Sequence, residues 1–227
     1  MSNCRTRRIN DHITMYVLGS REEWLKARGQ RVGGSEAAAV LGMNPYMSNT
    51  DLWRIKTGQR AAEDISKKPF VRYGHDAEPL LRELFKLDFP ELEVGYIDNN
   101  LFVNSRYPWA HASLDGWLRD REGRTGILEI KTTEILQSMQ KEKWKDQIPD
   151  NYYLQVLHYL LVMEADFAVL KAQLKYDFYG DIFLQTRHYW LERSDIEEDL
   201  RILEAHEREF WNHTQKGTQP ATILPEI

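Results

Sequence analysis

Apolar residues recur along the chain first with a helical period and then with a strand period, and the change falls near residue 94. Arg21 to Lys26 reads as a short helix ended by Gly29. Ser35 N-caps a second helix, Glu36 to Leu41, which Gly42 and Pro45 terminate. Ser48, with Asp51 three residues on, caps a third that Gly58 closes. Roughly Pro69 to Leu87 forms a fourth, with Leu80, Leu81, Leu84, Phe85 and Leu87 in one apolar stripe. Pro79 removes a backbone hydrogen bond there, so either the helix kinks near His75 or it begins later.

Beyond that point the pattern predicts strands at Val94–Val103, Trp109–Leu118 and Ile127–Thr132, the last two joined through the turn-rich Arg119 to Gly126. Ile148 to Met163 is helical again. Phe167–Leu174 and Ile182–Leu191 return to strand around a turn at Tyr179-Gly180-Asp181. Ser194 or Asp195 opens a final charged helix running to about Thr214. This order implies an α/β (α+β) fold, a mixed central β-sheet flanked by helices, in a single domain over residues 1–227.

Composition narrows the classes. The chain has 227 residues, 42% of them hydrophobic and 29% charged, enough for a real core and too apolar for disorder. The longest apolar run, about Tyr159 to Met163, is far short of a bilayer span. No apolar stretch follows Arg5, Arg7 and Arg8, so no signal peptide and a cytoplasmic location are expected. One cysteine, Cys4, excludes a disulfide scaffold, a Cys-based zinc site and an iron–sulfur cluster held by this chain alone. The net charge of −5 argues against indiscriminate nucleic-acid binding. Its distribution is uneven: residues 1–31 carry seven Lys/Arg against three Asp/Glu, and residues 192–211 carry three against eight. That asymmetry fits a positive field confined to one surface, and equally two solvated faces that differ by chance.

Candidate chemistry centres on His111-Ala112-Ser113-Leu114-Asp115-Gly116 and Ile127-Leu128-Glu129-Ile130-Lys131. Alternate residues of a strand share a face, so Glu129 and Lys131 point one way while Leu128 and Ile130 enter the core. If the strand bearing Asp115 pairs with this one, two carboxylates and an ammonium converge. Hard oxygens of that kind suit Mg²⁺ completed by water and a substrate phosphate, and the lysine can orient or deprotonate an attacking water. Chance alone supplies roughly two acid-x-Lys triplets in such a composition. An isolated Glu-x-Lys therefore reads equally as a salt-bridged strand edge. The context adds weight: an Asp-Gly lies fourteen residues earlier, Glu78 on the preceding helix and Gln155 on the following one.

Six pieces in order resemble the phage lambda-type exonucleases, also called YqaJ-like viral recombinases, of the PD-(D/E)xK nuclease superfamily. They are Glu23-Trp24-Leu25-Lys26-Ala27-Arg28, Gly33-Gly34-Ser35-Glu36-Ala37, Gly74-His75-Asp76-Ala77-Glu78, Ser113-Leu114-Asp115-Gly116, Leu128-Glu129-Ile130-Lys131 and Tyr152-Tyr153-Leu154-Gln155. The resemblance implies that Asp115, Glu129, Glu78 and the Ile130 carbonyl hold the metal, Mg²⁺ or alternatively Mn²⁺. It makes Lys131 the water-activating group and has Gln155 and Tyr152 support the site. It implies a 5′-to-3′ double-stranded DNA exonuclease that releases mononucleotides and leaves 3′ overhangs. It further implies a homotrimeric ring around DNA ends, a single-strand annealing recombinase as partner, and no membrane. A structure-specific or restriction-type endonuclease, or a catalytically inactive DNA-binding relative, are the alternatives.

Arg28 precedes Gly33-Gly34-Ser35, and a glycine-rich turn into a helix start exposes N–H groups to a phosphate. In the resembled family the equivalent Arg and Ser hold the 5′-phosphate of the DNA end. Trp24 is placed either to stack on a base or in the core. His111 and His158 alternate with apolar residues and read as structural, and His206 and His213 lack a third partner at zinc spacing.

Overall fold

The computed structural model describes residues 4–136 and 138–223. Among these residues two mixed five-stranded sheets, flanked by helices, divide the strands between them. In the first the order is β1 (Arg5–Arg8), β2 (Ile13–Val17), β5 (Asn100–Asn104), β6 (Ala110–Ala112), β3 (Val32–Gly33), with only the β3/β6 pair parallel. In the second it is β10 (Asp181–Glu192), β9 (Phe167–Phe178), β8 (Thr125–Ile135), β7 (Gly116–Arg119), β4 (Glu93–Gly95), with only β8/β9 parallel.

The two long strands expected at Val94–Val103 and Trp109–Leu118 are each divided between the sheets, as β4 with β5 and β6 with β7. Leaving a ladder strands backbone groups, and one buried side chain satisfies both crossings. Asn100 Nδ2 donates to the Ile97 and Leu114 carbonyls, both at 2.9 Å, and its Oδ1 accepts the Leu114 N–H at 2.8 Å. Asn99 takes the left-handed conformation at φ 54° that turns the chain into β5. The hairpin β9–β10 closes through Tyr179 and Gly180, both at positive φ, as a two-residue turn requires.

Helices cover both faces of the second sheet. α4 (Pro69–Asp88) lays Leu81 and Phe85 on Leu118, Leu128, Ile130 and Val169. It runs unbroken through Pro79, and of the expected stripe Leu80, Leu84 and Leu87 project into solvent. α6 (Asp150–Met163) is buried along almost its whole length and packs Leu154, Leu157 and Leu161 against Ile127, Ala168 and Leu170 on the opposite face. α1 (Arg21–Arg28), α2 (Gly34–Val40) and α3 (Asn49–Lys56) lie ahead of α4, and the five-residue α5 (Ser138–Glu142) follows β8. α7 (Glu197–Lys216) closes over α6 with Leu200, Leu203 and Phe210 buried. Among the described residues no helix is long and apolar enough to cross a membrane.

Candidate active site

β8 is the third of five strands, so the Glu-x-Lys segment lies in the middle of a sheet and not at an edge. β7 begins at Gly116, opposite Leu128, which leaves the Ile130 N–H without a ladder partner. Asp115 supplies one: its Oδ2 accepts that N–H at 2.8 Å. The N–H and C=O of a strand residue face the same neighbour, so the Ile130 carbonyl points into the same gap. Glu129 and Lys131 share the face that meets α6. Glu129 is only 2% exposed, so the face opposite the core-facing Leu128 and Ile130 is itself buried at this point. Its Oε1 accepts from Lys131 Nζ at 2.7 Å and from Gln155 Nε2 at 2.6 Å, while Oε2 is buried with no partner.

The carboxyls are crowded. Burial first, then the charge of Asp115, pushes Glu129 up to about 8 against the pull of Lys131. Burial and Asp115 likewise lift Glu78 up to about 7, although Arg82 opposes them. Burial raises Asp115 too, with Lys131 and the Ile130 N–H holding it back. For Lys131, burial would lower the value, but Glu129 and Asp115 outweigh it and keep the ammonium protonated.

Glu78, on α4, does not face these carboxylates freely. Its Oε1 accepts from Arg82 Nη2, one helical turn on. Arg82 is itself buried, donates Nε to the Asp115 carbonyl at 2.6 Å and sits 3.4 Å over the Tyr96 ring. This buried cation, which fixes the Asp115 turn, escaped the sequence reading. The i,i+4 spacing of Glu78 and Arg82 was the available signal.

The donor set fits a divalent cation. Glu129 has an orphaned carboxylate oxygen and Asp115 is near enough to raise its value, a repulsion that a dication would relieve, with the Ile130 carbonyl as a further oxygen on the Asp115 side of the strand. All are hard oxygens, the preference of Mg²⁺ and Mn²⁺. Among the described residues no three acidic, His or Cys side chains converge into a finished cage. A cation here would therefore complete its shell with water and substrate, as Mg²⁺ commonly does.

A basic flank adjoins this cluster. Arg28 Nη2 lies 3.5 Å from Ser35 Oγ, and the Arg28 charge is felt at Asp115. Ser35 is not the N-cap: Gly33 is, with Glu36 Oε2 accepting the Gly33 N–H at 2.9 Å. The two glycines do not form a loose turn either. A Cβ on Gly33 would stand 2.7 Å from the His111 ring and one on Gly34 2.5 Å from the Tyr159 ring, so both serve close packing. Trp24 is half-buried, its Nε1 bonded to the Asn100 carbonyl at 2.9 Å and Arg28 stacked 4.3 Å above its ring. Tyr152 stacks on the buried Trp144 and carries Lys131 Nζ 5.3 Å from its centroid.

α6 also reaches a second buried cluster through His158. His158 Nδ1 meets Glu207 Oε1 at 2.6 Å and its Nε2 meets the His111 carbonyl at 2.9 Å, while Trp109 Nε1 donates to Glu207 Oε2 at 3.2 Å. His158 is thus bound structurally, and Glu207 is one acid of the C-terminal helix that is not on a solvated face.

A protein of Bacillus subtilis (strain 168), the uncharacterized protein YqaJ, is 29% identical over 205 residues, 90% of this chain and 59% of that protein. The chain thus spans about three fifths of the curated relative. The crystal structure of an alkaline exonuclease (LHK-Exo) from Laribacter hongkongensis superposes with a TM-score of 0.61 at 19% identity, covering 86% of this chain and 93% of that one. Its complex with dAMP gives 0.57 at 18%, covering 86% and 95%. At such identity the likeness speaks for the fold. Residues 23–166, well over half of the chain and including every residue from Trp24 to Gln155 discussed above, match the YqaJ-like viral recombinase domain, and the chain belongs to that family.

Proposed function

We propose that the chain is a Mg²⁺-dependent deoxyribonuclease that digests one strand of duplex DNA from a 5′ end. The observation that carries this reading is the buried Glu129 oxygen left without a partner beside Asp115 and Lys131. Asp115, Glu129 and the Ile130 carbonyl would hold the ion, with Mn²⁺ as an alternative, and Glu78 would join them on releasing Arg82. Bound there, the cation would stabilise charge on the phosphoryl oxygens and activate a water. Lys131, kept protonated by its two carboxylates, orients that water as a charged donor. Gln155 fixes the Glu129 carboxylate, and Tyr152 supports the lysine stem and lines the DNA path. Arg28 and Ser35 receive the terminal 5′-phosphate, and the Trp24 edge guides the end. The structural relative is named an alkaline exonuclease, which supports the exonuclease part of this reading.

By family resemblance the protein acts as a homotrimeric ring and delivers its 3′ overhang to a single-strand annealing recombinase. Linear duplex labelled at either end, incubated with and without Mg²⁺, tests the activity. Mononucleotides should leave the 5′-labelled end only when metal is present. A 5′-phosphate duplex should be digested faster than its 5′-hydroxyl counterpart, and Arg28→Ala should erase most of that difference. Cleavage of closed circles, or end-independent fragments, would favour an endonuclease. Light scattering near three subunits would support the ring, and a monomer at micromolar concentration would refute it.

A further inference from the structure

Tyr159 lies one turn beyond Gln155 on α6, is 3% exposed, and has the position of an ordinary core aromatic. Its hydroxyl does something more specific. Glu129 Oε1 already accepts from Lys131 Nζ at 2.7 Å, so it meets Gln155 as an acceptor and the amide turns its nitrogen towards it. That nitrogen has two hydrogens. One reaches Glu129 Oε1 at 2.6 Å and the other reaches the Tyr159 oxygen at 3.0 Å. The amide is therefore pinned at two points. If the phenol oxygen were absent, the amide would keep only the Glu129 contact and could swing about that single hydrogen bond. The ring is held in turn by α2: Gly34 offers no side chain, and any Cβ there would strike the ring at 2.5 Å.

We propose that Tyr159 is a positioning residue whose hydroxyl fixes the Gln155 amide, so that Gln155 occupies Glu129 Oε1 and leaves Oε2 free for a divalent cation. The inference rests on the metal-nuclease reading above and names a residue that acts on its carboxylate through another. It also gives Gly34 a role, since a larger residue would push the hydroxyl away from Gln155.

The test uses the full chain and Mn²⁺ binding measured by calorimetry, with no substrate present. Tyr159→Phe keeps the ring and removes the oxygen, and it should weaken Mn²⁺ by about 3- to 10-fold, the range of one net hydrogen bond. Gln155→Ala should weaken it as well, and the double variant should be no worse than Gln155→Ala alone, because both act through one contact. Unchanged Mn²⁺ affinity in Tyr159→Phe overturns the proposal, and so do losses that simply add. The wild-type protein gives an independent check that needs no folded variant. The Gln155 side-chain amide protons, followed by NMR, should exchange much more slowly than those of an exposed glutamine, and exchange at the free rate overturns the strut. Absence of Mn²⁺ binding by the wild type would instead sink the nuclease reading itself, together with this inference, whereas slow Gln155 exchange with wild-type-like Mn²⁺ binding in Tyr159→Phe removes the inference alone.

Discussion

Two buried acids are reached from one helix, α6, through Gln155 and His158, and they are treated differently by their surroundings. Glu207 spends both oxygens, one on His158 and one on Trp109. Glu129 spends one oxygen twice, on Lys131 and Gln155, and leaves the other with nothing. Both ring nitrogens of His158 lie against oxygens, one of Glu207 and one of the His111 backbone, which favours the doubly protonated ring. Burial would pull the His158 value down, but Glu207 outweighs it and raises it. At the other site repulsion between Asp115 and Glu129 adds to burial and pushes the acid up. A finished network of this kind stabilises a fold, while an unfinished one is held open for something the chain itself does not supply.

The same substitution at the two sites should therefore give opposite results. In Glu129→Gln the amide oxygen can still accept from Lys131 and Gln155, and the amide nitrogen falls where the partnerless oxygen was. The metal-free protein should keep or gain thermal stability, while Mg²⁺-dependent cleavage drops by about 10³-fold, the scale of losing a principal electrostatic group. Retention of wild-type turnover would remove the nuclease site from consideration. Asp115→Asn should behave alike in activity.

Glu207→Gln, next in size, sets an amide nitrogen against Trp109 Nε1–H or His158 Nδ1–H, whichever way it turns. Breaking a buried pair on one side costs about 3–5 kcal/mol, read as a lower midpoint in urea denaturation. His158→Ala should cost a similar amount by leaving Glu207 Oε1 buried without its partner. Mn²⁺ affinity of the protein that remains folded should hardly move. If Glu207→Gln lost metal binding while its urea midpoint stayed in place, the division between a structural and a functional cluster would be wrong.

How far this contrast could be read in advance depended on what each residue owes to its neighbours in sequence. Asp115, Glu129 and Lys131 were legible because strand alternation and strand pairing alone bring them together. His158 reads as structural from its apolar setting. Glu207 was not legible, because an acid in a charged helix looks solvated until the helix is seen to pack on α6. Arg82 was hidden in the same way. The strand β1 escaped notice for another reason: Arg5-Thr6-Arg7-Arg8 is exposed throughout, lies at a sheet edge and has no apolar alternation. The two divided strands were misread because a run of β-forming residues says nothing about which sheet it serves. That decision lies with Asn100, a single polar residue whose bonds span both crossings. Gly33 and Gly34 look like a turn, and only the rings of His111 and Tyr159 reveal them as packing positions.

The smallest effect separates the two clusters by pH. Glu129 is protonated in the fold up to about 8, while the unfolded chain releases that proton near the ordinary value of 4.5. Between those values the folded state binds more protons than the unfolded one, so stability of the metal-free protein falls as pH rises through the window. His158 contributes in the same direction for a different reason: its value is raised, so its stabilisation is full below 6.5 and is lost as pH climbs through the folded value. Thermal melts from pH 5 to pH 8.5 without metal should therefore slope downward from both causes. Mg²⁺ acts on one of them only. It should lift the melting temperature more at pH 8 than at pH 5.5, because at low pH it must displace a proton from Glu129. Glu129→Gln should flatten the melts partly and abolish the Mg²⁺ response, leaving a residual slope that belongs to His158 together with the raised carboxyls of Glu78 and Asp115. A Mg²⁺ response that survives Glu129→Gln at full size would place the ion elsewhere. A wild-type slope that rises from pH 5 to pH 8 would contradict the proton-binding state assigned to both clusters.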